Sequence, residues 1–286
     1  WEMKVIVHRG THMIGGSCVE LRSGSSSLFL DAGARLPGVG DEALPEGTEL
    51  DLKKIMTPKG RDVKGVLFSH CHGDHTGLLD LVPSGVKIFM GEKTEAFLVL
   101  SACFTIGEMP RKADAYLVHE EVLYAGPFKV TPYAVDHSAA EAFAFLIEAE
   151  GKTVLYTGDF RNHGNKAKLT RILIHKLNQR EEGIDLLIME GTVLGRKNRK
   201  TVTEKHISEK AEQFMRETKG PVFVLMSSNN IDRLVGMYKA ARSSGLTFVM
   251  DPYSAHVARL YGTGIPNPLN FKEIRVFYPK FRTFTL

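Results

Sequence analysis

The residues able to do chemistry concentrate in one heptapeptide, Ser69-His70-Cys71-His72-Gly73-Asp74-His75. Imidazole nitrogens and carboxylate oxygens are the ligands that zinc-class ions take. Three histidines and one aspartate within six residues can present two ligand sets from one short loop. In an extended backbone His70 and His72 point the same way, because side chains two apart share a face. Asp74 and His75 are then free to face a neighbouring ion. Cys71 alternates away from both histidines, so it is expected to face outward rather than to act as a soft ligand.

Partners for this loop stand elsewhere in the chain. Asp136-His137-Ser138 and Gly158-Asp159-Phe160 each place a ligand-type residue just after an apolar run, and Asp31 does so ahead of Ala32-Gly33. Singly, an Asp or His at a strand end is more often a turn former or a cap. Their repetition beside the heptapeptide makes them candidates. A carboxylate among them could bridge two cations, which two-metal sites hold roughly 3.5–4 Å apart.

Positioning such a set requires strands that end together. Apolar, β-branched or aromatic runs at 4–7, 18–22, 28–31, 65–69, 87–90, 128–134, 142–148, 152–156 and 186–189 read as strands. Segments 51–56, 93–102 and 167–177 read as helices, giving a layered arrangement with helices over sheets. The rhythm then changes. Helices at 203–218 (Thr203 as N-cap), 231–243 (closed by Gly245) and 255–261 alternate with strands at 221–226, 246–251 and 274–278. That alternation predicts a parallel, Rossmann-like sheet, with 221–226 buried in it. A domain change is expected near 191–202, dividing the chain into 1–192 and 193–286.

Composition narrows the classes. The 286 residues are 43% hydrophobic and 24% charged, which excludes a disordered tail or a collagen-like repeat. No apolar run is long enough to cross a membrane, and no signal-peptide pattern opens the chain. Cys18, Cys71 and Cys103 form no CxxC pair, an odd count that suits a reducing cytoplasm. The net charge of +4 hides an asymmetry: residues 191–286 carry 16 Lys+Arg against 7 Asp+Glu, and residues 1–190 carry 21 against 26. The run Arg196-Lys197-Asn198-Arg199-Lys200 lies in the basic part. A basic half suggests a polyanionic partner such as nucleic acid, although solvated surface lysines give the same count.

HCHGDH at 70–75, with Asp31, His137 and Asp159, resembles the metallo-β-lactamase fold superfamily. His12-Met13-Ile14-Gly15-Gly16-Ser17, Asp159-Phe160-Arg161 and Leu187-Ile188-Met189-Glu190-Gly191-Thr192 resemble its β-CASP branch, which holds ribonuclease J-like enzymes, messenger RNA 3′-end cleavage factors and DNA-processing nucleases. The resemblance implies an α/β chain: an αββα sandwich plus a partial Rossmann-like cap. It implies that His70, His72 and His137 hold one ion, Asp74 and His75 a second, with Asp159 between them. Two zinc ions are expected, or manganese. Asp31 would brace the ligand loop, and Glu190 would orient a ligand. Asp74 and Asp159 would be catalytic: water attacks phosphorus in line, and Asp74 holds that water or takes its proton. Arg196, Lys197, Arg199 and Lys200 would touch RNA, or less readily DNA.

The sequence also departs from the branch. Members carry a later cap histidine and a final histidine ligand after the chain returns to the first domain, whereas this sequence stops at Leu286. After Glu190 the histidines are His206 and His256, neither in a matching motif. A fragment is therefore expected, with a weakened second metal site and apolar surface that favours association, including a homodimer. Two other functions follow from the same residues: a hydrolase of small molecules (β-lactam, lactone or thioester), or a nucleic-acid-binding protein with an incomplete catalytic site.

Overall fold

The computed structural model describes residues 2–11, 13–36, 50–105, 107–139, 141–194 and 201–278. Two mixed sheets form the larger part. The first runs β1 (Lys4–Arg9), β2 (Cys18–Ser23), β3 (Ser26–Leu30), β4 (Asp62–Leu67), β5 (Ile88–Met90) and β6 (Ala115–Tyr116) in spatial order. Its β1–β3 pairings are antiparallel and the rest parallel. The second comprises β7 (Leu123–Ala125), β8 (Phe128–Ala134), β9 (Phe143–Ala149), β10 (Lys152–Tyr156) and β11 (Leu186–Ile188), antiparallel except for β10–β11.

Side-chain alternation along these strands builds three apolar layers. Leu28 and Leu30 of β3 and Leu67 of β4 point inward against Phe143, Phe145 and Ile147 of β9 and Tyr156 of β10, filling the space between the sheets. Phe29, Val66 and Phe68 point the other way, packing with Leu52 and Met56 of α1 (Leu52–Met56), with Leu78 and Leu79 just after the short helix α2 (Gly73–Thr76), and with Leu98 of α3 (Glu92–Thr105). Ala144, Leu146 and Leu155 face outward beneath Leu173 of α4 (Ala167–Asn178). The order helix, sheet, sheet, helix is the expected αββα sandwich.

Beyond residue 201 the elements are α5 (Glu204–Glu217), α6 (Ile231–Ser243), β12 (Val249–Met250), α7 (Pro252–Leu260) and β13 (Arg275–Val276). Thr203 caps α5 as its spacing predicts, accepting the His206 N–H at 3.1 Å. β12 pairs with β13 in parallel, as the alternation of helices and strands predicts. Its core packs Leu234 and Tyr238 of α6 on Met250 and Ala258, and Met215 of α5 on Met237.

The expectation of a buried strand at 221–226 is overturned. The segment has no strand pairing among the described residues, and Phe223 and Leu225 are 94% and 103% exposed. Val222 and Met226 pack on the cap core, while the intervening side chains point away from it. An apolar run becomes a buried strand only when neighbouring strands pair its backbone and cover both faces; here helices cover one face. The strands expected at 246–251 and 274–278 shrink to two residues each for the same want of neighbours. Conversely, β6 and β7 were not predicted; both are short edge strands without an alternating pattern.

Candidate metal centre

Five strands end at one edge of the sandwich, and each delivers a polar residue there. Asp31 follows β3, Ser69-His70 follow β4, Asp136-His137 follow β8, Asp159 follows β10 and Glu190 follows β11. The apolar stretch Val66-Leu67-Phe68 is anchored in the core on both sides, so the loop beginning at Ser69 starts from a fixed point. Ser69 O accepts the Phe143 N–H at 2.9 Å, tying that loop to the second sheet. His72 has extended backbone and starts α2; its carbonyl accepts the N–H of His75 and of Thr76, each at 2.9 Å. This single turn swings Asp74 and His75 away from the extended pair before it.

Glycines make room for the turn. A Cβ on Gly33 would lie 1.7 Å from the Asp74 carbonyl oxygen. At Gly15, with φ of +77°, a Cβ would lie 2.6 Å from Asp74 Cβ. Gly15, within the segment whose sequence resembles the β-CASP branch, thus backs Asp74.

Three imidazoles converge. His70 Nε2 lies 3.0 Å from His72 Nδ1, and His137 Nε2 lies 3.1 Å from the same atom. Three nitrogens about 2.0–2.1 Å from a tetrahedral zinc ion would stand about 3.3 Å apart, so the cluster is close to that spacing. Burial pushes all three rings toward the neutral form. His70 is held well below the usual imidazole range, first by burial and then by His75, His137 and His72. His137 is pushed down to about 3, first by burial and then by His72. His72 is lowered by burial, partly offset by Asp74. Neutral rings with lone pairs directed at one point are the form that metal ligation requires.

A second group comprises His70, His75 and Asp159, whose ligand atoms lie within 4.8 Å of one another. His75 Nε2 is 3.2 Å from Asp159 Oδ1 and 3.8 Å from Asp74 Oδ2. Asp159 Oδ2 faces the other cluster, 3.9 Å from His137 Nε2. One carboxylate thus offers an oxygen to each group. Burial alone would lower His75, but the Asp31 and Asp159 carboxylates outweigh it and hold the ring well above the usual range. Burial alone would raise Asp159, but its hydrogen bond with His75 and the nearby His75, His137 and His72 rings together outweigh that and lower it.

Asp31 is buried beneath the loop, with a left-handed backbone (φ 58°) that is uncommon outside glycine. Its carboxylate accepts from Ser69 N (2.7 Å), Ser69 Oγ (2.9 Å) and Tyr156 OH (2.6 Å), and lies 2.7 Å from His75 Nδ1. That last contact turns Nε2 of His75 toward Asp159. Glu190 Oε1 accepts the Phe160 N–H at 2.9 Å, fixing the backbone beside Asp159. Asp74, His75, Asp159 and Glu190 line a cleft of about 430 Å³, walled by Met13 and Met189.

Other sequence candidates lie apart. His206 is exposed on α5, and His256 packs its ring 5.7 Å from Phe104; neither joins a potential metal group among the described residues. Arg196, Lys197, Arg199 and Lys200 lie outside the described residues. Cys71 is buried rather than outward, its thiol pushed up to about 12 by burial, and it accepts a hydrogen bond from Asn229 Nδ2 at 3.1 Å. Alternation does turn it from the histidines, but onto the cap instead of into water. Sequence reading missed Tyr156 and Arg161 as contributors; both flank the Gly158-Asp159 turn, which was the available signal.

The fold and the ligand cluster together define a metallo-hydrolase-type scaffold. A family profile described as "Beta-lactamase superfamily domain" matches residues 47–243, and the chain belongs to that superfamily, whose fold implies a divalent metal. Within it, similarity runs to β-CASP nucleases. Ribonuclease J of Sinorhizobium meliloti is 27% identical over 225 residues, covering 76% of this chain and 38% of the relative. Endoribonuclease YSH1 of Mycosarcoma maydis is 27% identical over 260 residues, covering 80% and 27%. A crystal structure of a protein of unknown function from Enterococcus faecalis V583 superposes with a TM-score of 0.78 at 20% identity, covering 99% of this chain and 71% of that one. The chain thus spans well under half the length of these curated relatives.

Proposed function

We propose that the chain carries the metal centre of a phosphodiesterase that hydrolyses RNA. One observation carries the reading: Asp159 stands between a three-imidazole cluster and a second His/Asp group, with an oxygen turned to each. His70, His72 and His137 would hold one divalent ion; His75, Asp159 and Asp74 would hold the second, zinc before manganese. Ions there would polarise a phosphoryl oxygen and lower the pKa of water. Asp74, its carboxylate open to the cleft, would take the proton of the attacking water. Asp31 would keep His75 aimed, and Glu190 would keep the Asp159 turn in place. The names of the relatives support RNA as the substrate class. We also take residues 193–286 as a cap whose basic surface follows a single strand.

Labelled single-stranded RNA and a chromogenic β-lactam, each offered with zinc or manganese and again with chelator, test this reading. Chelator-sensitive RNA cleavage supports it. Lactam turnover without RNA cleavage would move the chain to the small-molecule reading. Salt-sensitive RNA binding without cleavage would make it a binding protein.

A further inference from the structure

Arg161 stands two residues after Asp159, and its side chain is 9% exposed. It reaches in three directions. Nε donates to Asp136 Oδ1 at 3.2 Å, and the backbone N–H of Arg161 donates to the Asp136 carbonyl at 2.6 Å. Nη1 donates to Glu204 Oε1 at 3.2 Å, and Nη2 to Asp232 Oδ2 at 2.5 Å. Asp136 belongs to the loop that carries His137. Glu204 opens α5, and Asp232 lies in the first turn of α6. One guanidinium therefore joins the His137 and Asp159 loops of the metal centre to the first two helices of the cap.

The three carboxylates are held from other sides as well. Asp136 Oδ2 accepts the Gly164 N–H at 2.8 Å, Asp232 Oδ2 the Asn165 N–H at 2.9 Å, and Glu204 Oε2 the Arg233 Nε–H at 2.7 Å. The turn just before α6 makes a separate contact with the heptapeptide, through Asn229 and Cys71. A buried ionic network is poor value as mere adhesive, because desolvating its charges offsets most of their attraction. What it does supply is direction: a planar fork with fixed donor angles admits one arrangement of its partners.

We infer that Arg161 is a positioning residue that sets the His137 and Asp159 loops according to where the cap sits, so that metal affinity depends on cap residues that touch no ligand. The inference rests on the metal-centre reading above. Outer partners that orient ligands are worth roughly 10–100-fold in metal affinity.

The test uses the whole chain, zinc and a competing chromogenic chelator. Asp232→Asn removes the cap's half of one contact and leaves Arg161 and Asp136 joined. It is expected to weaken zinc binding about tenfold, at the mild end of that range, with an unchanged far-ultraviolet circular dichroism spectrum. Arg161→Met is expected to weaken it more, Arg161→Lys less, and Asp232→Asn added to Arg161→Met is expected to do nothing further. Zinc affinity unchanged by Asp232→Asn, or an equal loss in both backgrounds, would overturn the inference while leaving the metal centre standing. If Arg161→Met does not fold, Glu204→Gln beside Asp232→Asn carries the same comparison. A folded unchanged chain that binds no zinc would instead remove the metal-centre reading, and this inference with it.

Discussion

At the scale of single residues, the centre is a balance between burial and charge. His72 contributes Nδ1 to the imidazole cluster yet sits in a loop, outside the packed layers. His72→Ala is therefore expected to abolish binding at the three-histidine site while leaving the fold, checked by metal content beside a thermal melt; global unfolding at room temperature would contradict it. The rings also set a pH dependence for the metal-free chain. His70, His72 and His137 take up protons in the unfolded chain below about 6.5 but resist them when folded, so acidification costs stability. His75 works oppositely: its raised value contributes stability present below about 6.5 and lost as pH rises through its folded value. Three depressed rings outweigh one raised ring. The urea midpoint of the metal-free chain is expected to fall between pH 7 and pH 5, and a flat profile would contradict the burial argument.

At the scale of elements, strand ends set the site, and α2 finishes it. Gly33 faces the backbone of that helix with no space for a methyl group. Gly33→Ala is expected to cost about 1–3 kcal/mol of stability, as overpacking does, and to displace Asp74. Chemical denaturation and zinc titration check both halves. This is also the scale at which the sequence was most and least legible. The strands bearing Asp31, His70, His137 and Asp159 could be read because each is an apolar run of ordinary length ending in a polar residue. The segment 221–226 was misread because its apolar pattern does not reveal which neighbours will pair with it. Tyr156 was readable as a strand residue but not as a donor to Asp31, a contact 125 residues apart in sequence. Cys71 reads from the sequence as outward-facing but is buried, because what lies on its side of the loop depends on a cap that local alternation cannot locate.

At the scale of the whole molecule, charge and chemistry are divided. The metal groups lie in the acidic part, and the excess of Lys and Arg lies beyond residue 190. If that part follows a phosphate backbone, RNA affinity should fall with salt. Replacing Arg196, Lys197, Arg199 and Lys200 by alanine should then reduce the salt slope by up to about 3, at roughly 0.7 per phosphate contact on a single strand. Filter binding across a salt series checks this, and an unchanged slope would move the RNA path elsewhere. Among the described residues no helix is long and apolar enough to cross a membrane.

We propose above that this edge of the sandwich is a metal centre. Elemental analysis of the folded chain, purified without chelator and dialysed against zinc, tests it most directly. Up to two ions per chain are expected, with the three-histidine site filled first and emptied by His72→Ala. A folded chain that retains no divalent ion would contradict it.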